Sequence, residues 1–254
     1  MAKRVVLLLL LIVQTSFLFA QRSSVSASST RDGQSTNPND TAKFSDLYTT
    51  VAPVFKPSRD FIMIQFNYNN WIKKPDSIKT KPFAYSFNSY VCYDFPIKKT
   101  NLSFATGIGV NVSVMYLDLQ KIAVDTGNTG ARFVTDSINA KRDKFVTTYI
   151  SAPFELRYYS NLNNRNKGFK AAIGLQVGTL LGSDMKQLTS ISGTTLKFKT
   201  DTKRDVTPWN FAATGRVGFG NFSLFLSYNL TNVFKENAGP PITPAAVGIC
   251  LTGL

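Results

Sequence analysis

The chain has 254 residues, of which 43% are hydrophobic and 13% aromatic, and its formal net charge is +14. That length allows one large domain with appended segments, and the positive excess points to anionic partners such as lipid headgroups, lipopolysaccharide phosphates or nucleic acid. Histidine is absent, which excludes a Ser-His-Asp triad, a Cys-His pair and every zinc site containing His; two cysteines, Cys92 and Cys250, are too few for a metal cluster.

The first 20 residues, MAKRVVLLLLLIVQTSFLFA, start with Lys3 and Arg4, continue through an apolar run from Val5 to Val13 and end on Ala20. A basic start, a short apolar core and a small residue before Gln21 read as a secretory signal peptide. The core falls short of the roughly 20 apolar residues that a spanning helix needs. Residues 21–58 are rich in Ser, Thr, Asn, Asp and Pro and read as a flexible periplasmic segment.

From about residue 59 to 254 the sequence keeps a period of two, the spacing of side chains on one face of a strand. Strand one, about 60–70, puts Ile62, Ile64, Phe66 and Tyr68 on one face. Strand two, about 82–95, puts Phe83, Tyr85, Phe87, Val91, Tyr93 and Phe95 opposite Ala84, Ser86, Asn88, Tyr90, Cys92 and Asp94. Strand three, 102–117, reads LSFATGIGVNVSVMYL, with Phe104, Ile108 and Val112 alternating with Ala105, Gly109 and Asn111. Strands four (about 145–159) and five (about 169–182) present Phe154 and Leu175 in the same way. Strands six (about 206–219), seven (about 222–233) and eight (about 243–254) follow, carrying Phe211, Leu226 and Ile249.

Soluble strands are usually about 5–6 residues long. These are longer, and the face opposite the bulky residues offers Ser, Ala, Gly and Asn rather than charge. Such residues cover poorly against water but can line a narrow interior. The bulky face then points outward, which only lipid tolerates. The connections alternate between short ("PIKKTN", "SNLNNRNKG", "GN") and long (71–81, 118–144, 184–205, "KENAGPPIT"). An even number of antiparallel strands with short turns at one end and long loops at the other is the pattern of an outer-membrane barrel. The predicted fold is therefore all-β, an eight-stranded antiparallel transmembrane β-barrel in the bacterial outer membrane. Because lipid supplies no hydrogen bonds, strand eight must pair with strand one.

On this reading Phe104, Ile108, Val112, Phe154, Leu175, Phe211 and Leu226 face lipid. Tyr68, Tyr116, Tyr158, Trp209, Phe219 and Phe222 lie toward strand ends and form interfacial girdles. Glu155, Arg157, Lys170 and Arg216 fall on the inward parity, where a charge needs a partner; Glu155 is expected to pair with Arg157, Arg216 or both as a lumenal polar network. Cys92 and Cys250 point inward with strand one between them. Two strand spacings, about 9–10 Å, exceed the roughly 7 Å reach of a disulfide, so separate thiols are expected. No cofactor or metal site is expected. Basic residues sit in the gaps between apolar strands rather than on one surface, so no nucleic acid partner is expected.

Four segments, NNWIKKPDSIKTK, VCYDFPIKKTNLSFATGIGV, SAPFELRYYSN and the final AAVGICLTGL, resemble the outer-membrane β-barrel domain proteins of the Bacteroidetes, the group that includes PorT-like proteins. The resemblance runs from about Arg59 to the end. It implies an eight-stranded barrel in the outer membrane and, for PorT-like members, association with a protein-secretion apparatus. It brings no catalytic residue with it. The expected function is non-enzymatic: loop display or partner docking, with outer-membrane lipid, lipopolysaccharide and a periplasmic or secretion-machinery protein as partners. A small pore for ions or small solutes is the alternative.

Overall fold

Alternation over so many residues leaves the backbone one economical course, long paired strands whose two faces meet different surroundings. The computed structural model describes residues 62–124, 130–136, 142–161, 164, 165, 167–191 and 194–253. The expected signal peptide and the segment 21–58 lie outside the described residues. Among the described residues eleven strands follow in order: β1 (Ile62–Lys73), β2 (Tyr85–Pro96), β3 (Leu102–Leu117), β4 (Gln120–Val124), β5 (Ala131–Thr135), β6 (Arg142–Tyr159), β7 (Phe169–Ile191), β8 (Thr194–Asp201), β9 (Trp209–Phe219), β10 (Phe222–Asn229) and β11 (Thr243–Thr252).

Eight of these close a barrel in the order β1-β2-β3-β6-β7-β9-β10-β11, every neighbouring pair antiparallel. The seam is β1 on β11, from Met63 opposite Thr252 to Trp71 opposite Pro244, so no barrel edge is left to seek hydrogen bonds in lipid. The polarity is inside-out relative to a soluble barrel. Ile108 is 63% exposed and Leu226 55%, whereas Gln65, Asn88 and Ser103 are buried.

The long connections differ from the expected loops. The stretch 118–144 holds a hairpin, β4 on β5, with Ile122 opposite Phe133, and β6 already begins at Arg142. β7 does not stop near residue 182. It runs on to Ile191, pairing with β9 only as far as Thr179 and with β8 from Asp184 onward. β6 and β7 therefore project beyond the barrel at the long-loop end, with β8 as an added third strand. A bulge makes the projection possible: Thr148 pairs with Gly182 and Tyr149 with Leu180, leaving Leu181 as the extra residue. The extra residue inverts the parity of β7. Below it Ile173 and Leu175 face outward; above it Met185 faces inward and its neighbours Asp184 and Lys186 face outward.

Candidate functional site in the barrel lumen

The interior is a stack of layers. At the short-turn end lies a charged plug. Glu155 and Arg157 are successive inward residues of β6, and Arg216 reaches across β7 from β9. Small residues on the intervening strand make that reach possible: Ala172 stands opposite both Arg157 and Arg216, and Gly174 opposite Glu155. A Cβ at Gly174 would meet the Phe154 carbonyl oxygen and lie 3.1 Å from Glu155 Cγ, so the glycine lets β6 carry Glu155 close against β7.

Glu155 Oε2 accepts from Arg157 Nε at 2.7 Å and from Arg216 Nη2 at 3.1 Å. Arg157 Nη1 also lies 3.8 Å from Asp94 Oδ1, the oxygen that accepts from Ser103 Oγ at 2.8 Å. Arg165 closes the circuit by pairing with Asp94 Oδ2. Lys170 stands to one side. Its ammonium donates to Thr252 Oγ1 at 3.2 Å and lies 5.8 Å from the Tyr159 ring centre, over which the Arg165 guanidinium also stacks at 4.8 Å. All six charged residues are buried, Arg157 to 1% exposure. Such charges are tolerable only when mutually paired.

The structure thus brings Glu155, Arg157 and Arg216 together and leaves Lys170 a neighbour of the group. Two members were missing from the sequence-derived set. Asp94 has the inward parity of strand two and could have been counted by the rule that found Glu155. Arg165 lies in the turn after β6, where alternation carries no information.

Above the plug lies an apolar layer of Met63, Tyr90, Cys92, Phe225 and Cys250. Both cysteines are free, buried thiols. Gln65 of β1 stands opposite Cys250, and Cys92 faces Gly107 on the other side of β2.

Next comes a polar chamber of about 60 Å³, lined chiefly by Asn, Ser and Thr side chains. A chain of hydrogen bonds runs along one wall: Asn69 Nδ2 to Ser113 Oγ at 2.8 Å, Ser86 Oγ to Asn69 Oδ1 at 3.1 Å, and Asn67 Nδ2 to Ser86 Oγ at 3.1 Å. Asn67 Oδ1 and Asn88 Oδ1 are buried without a protein donor. The volume and lining suit a few water molecules.

A lid of packed rings lies over the long-loop end. Trp71, Phe133, Phe145 and Phe234 pack ring against ring, with centroid separations of 5.9–6.2 Å. Leu117, Ile122, Met185, Val206 and Ile242 fill the space around them. The hairpin contributes Ile122 and Phe133 to this cluster. Its backbone is tied to the other loops, since Ala131 N donates to Ala238 O at 2.9 Å.

The outer wall carries the residues expected to face lipid. Phe104, Ile108, Phe154, Leu175, Phe211 and Leu226 are exposed on it and Val112 is half-exposed. Tyr68, Tyr158, Trp209, Phe219 and Phe222 are exposed near strand ends, Phe219 to 71%. Tyr116 is half-buried, 6.5 Å from the Tyr85 ring. Among the described residues no three His, Cys, Asp or Glu side chains converge as metal ligands.

A closed eight-stranded barrel with an apolar wall and a polar, filled lumen is an outer-membrane β-barrel protein. The family profile of the outer membrane protein beta-barrel domain matches residues 62–235, and the chain belongs to that family. Comparison with curated proteins and with solved structures gives no match.

Proposed function

We propose that this protein is a non-enzymatic component of the bacterial outer membrane, exported through its signal peptide, that acts by the surfaces it presents. By the habit of such barrels the short turns lie in the periplasm and the long loops outside. The N-terminal segment then offers a periplasmic docking element for a protein partner, and the long-loop end meets outer-leaflet lipid and lipopolysaccharide. A secretion-linked accessory role of the PorT-like kind is the narrower form of this reading.

The filling of the lumen by side chains is the observation that carries it. A buried charged plug fills one end and a ring-packed cluster lies at the other, which leaves a chamber of only about 60 Å³ between them. Absence of histidine supports the non-enzymatic part, since a nucleophile would lack its usual base. Planar-bilayer recording of the purified full chain tests the proposal. The expected result is a silent bilayer; a stable large open state would overturn it. The polar chamber is the observation that favours the second reading, a small pore, and the same recording decides between the two.

A further inference from the structure

The projecting sheet of β6, β7 and β8 carries an arrangement of charge that neither the lumen nor the wall explains. Lys144 of β6 stands directly opposite Lys186 of β7, and Lys186 directly opposite Lys199 of β8. All three belong to the outward face. The flanking Asp143, Phe145 and Met185 are buried, and Gln187 turns inward to donate to Asp143 at 3.0 Å. One rung farther out, Arg142 and Lys197 flank Leu188 on the same face.

Like charges directly opposite on neighbouring strands repel and cost stability. Protection of an edge strand by lysine accounts for Lys197 and Lys199 on β8. It does not account for Lys144 and Lys186, which are half-exposed and sit on interior strands of the projection. The available carboxylates do not serve them. Asp184 is engaged by Lys199 at 3.0 Å, and Asp201 accepts the backbone N–H of Lys203 at 2.8 Å. Among the described residues, Lys144 and Lys186 have neither an ion pair nor a hydrogen bond through their ammonium groups.

Height on the barrel names the missing counter-charge. Tyr116, the last outward aromatic of β3, is the cross-strand neighbour of Lys144. The lysine rung thus continues the interfacial aromatics, at the level where headgroups begin. Neighbouring strands are about 5 Å apart, so one phosphate can accept from two of these ammonium groups at once. We infer that the outward face formed by Lys144, Lys186 and Lys199, flanked by Arg142 and Lys197, binds the phosphate of an anionic outer-leaflet lipid. This rests on the orientation and lipid partnership proposed above and assigns them to particular residues.

The test uses the full chain in neutral detergent, titrated separately with bisphosphorylated lipid A, phosphatidylcholine and inorganic phosphate, and read by native mass spectrometry and thermal unfolding. The wild-type protein is expected to retain lipid A and to melt higher in its presence. The double variant Lys144→Gln with Lys186→Gln is expected to bind it at least roughly tenfold more weakly, each lysine near a headgroup being a substantial part of the attraction. Without lipid the variant should melt no lower than wild type, because the substitution removes repulsion; this separates lost binding from lost folding. A second double variant in the short turns, Lys98→Gln with Lys167→Gln, should bind like wild type. Equal lipid A binding by wild type and the Lys144/Lys186 variant would overturn the assignment while leaving lipid partnership intact. No preference of wild type for lipid A over phosphatidylcholine would defeat the partnership itself. Saturation by inorganic phosphate as readily as by lipid A would make the occupant a free anion and overturn the lipid assignment.

Discussion

Glu155 Oε2 alone accepts from two guanidinium groups, 2.7 Å from Arg157 Nε and 3.1 Å from Arg216 Nη2. Among the described residues the plug sets Arg157, Arg165, Lys170 and Arg216 beside Glu155 and Asp94. Removing Glu155's charge takes one shared partner from two buried guanidinium groups and so costs more than removing a single cation. Glu155→Gln should lower stability by about 3–5 kcal/mol, the range for one broken partner of a buried pair. Arg216→Met keeps most of the stem packing and leaves Glu155 its pair with Arg157, so its loss should be smaller. Urea unfolding of the detergent-folded barrel measures both; a reversed order would mean that Glu155 is not what balances the plug. Glu155, Arg157 and Arg216 were legible because parity alone assigns an inward charge and burial demands a partner. Asp94 was equally legible by parity. Arg165 was not, because a turn residue enters the lumen through three-dimensional folding that no alternation records.

For a whole element, the alternation of large and small fixes which face turns in, but it also sets how closely two strands can carry their side chains. Tyr90 of β2 stands opposite Gly109 of β3, both on the inward face. A Cβ at Gly109 would press first on the Ser89 carbonyl oxygen and lie 2.5 Å from Tyr90 Cδ1, so backbone and ring together occupy the space the missing side chain leaves. Gly109→Val should displace that ring from the layer containing Met63, Cys92, Phe225 and Cys250. The expected loss is about 1–3 kcal/mol, as for overpacking of a filled core, seen as a lower melting temperature of the folded band on unheated gels. Unchanged melting would show that β2 and the Tyr90 ring can both shift to make room. The eight barrel strands were legible because lipid rewards the same alternation along their whole length. β4, β5 and β8 were not. "QKIAV", "ARFVT" and "TTLKFKTD" also alternate, but they are short and charged and lie between longer runs. The single extra residue at Leu181, which turns Lys186 outward, is invisible to a reading that assumes unbroken parity.

Across the barrel as a whole, plug, apolar layer, chamber and lid act in series, and each seal is made by chemistry the others lack. The plug depends on ion pairing, the lid on packed rings. From the long-loop end inward the lumen presents the rings of Trp71, Phe133, Phe145 and Phe234, then the chamber, then the layer of Tyr90 and Phe225, and last the charges. Cys92 and Cys250 lie within that layer, at 2% and 0% exposure, between the two seals. They are native reporters of whether water-borne reagents reach the centre, since thiol reactivity requires access as well as ionisation. A membrane-impermeant maleimide should leave both thiols unmodified in the folded barrel and modify both after heating in urea. The variant Trp71→Ala with Phe234→Ala should widen the mouth of the chamber yet leave the thiols protected, because both sulfurs stay buried in the layer with Met63, Tyr90 and Phe225. Intact-mass measurement counts the adducts. Two adducts on the folded wild-type protein would mean that the lumen is continuous with solvent, and the proposal of a barrel that works only through its surfaces would have to yield to the pore.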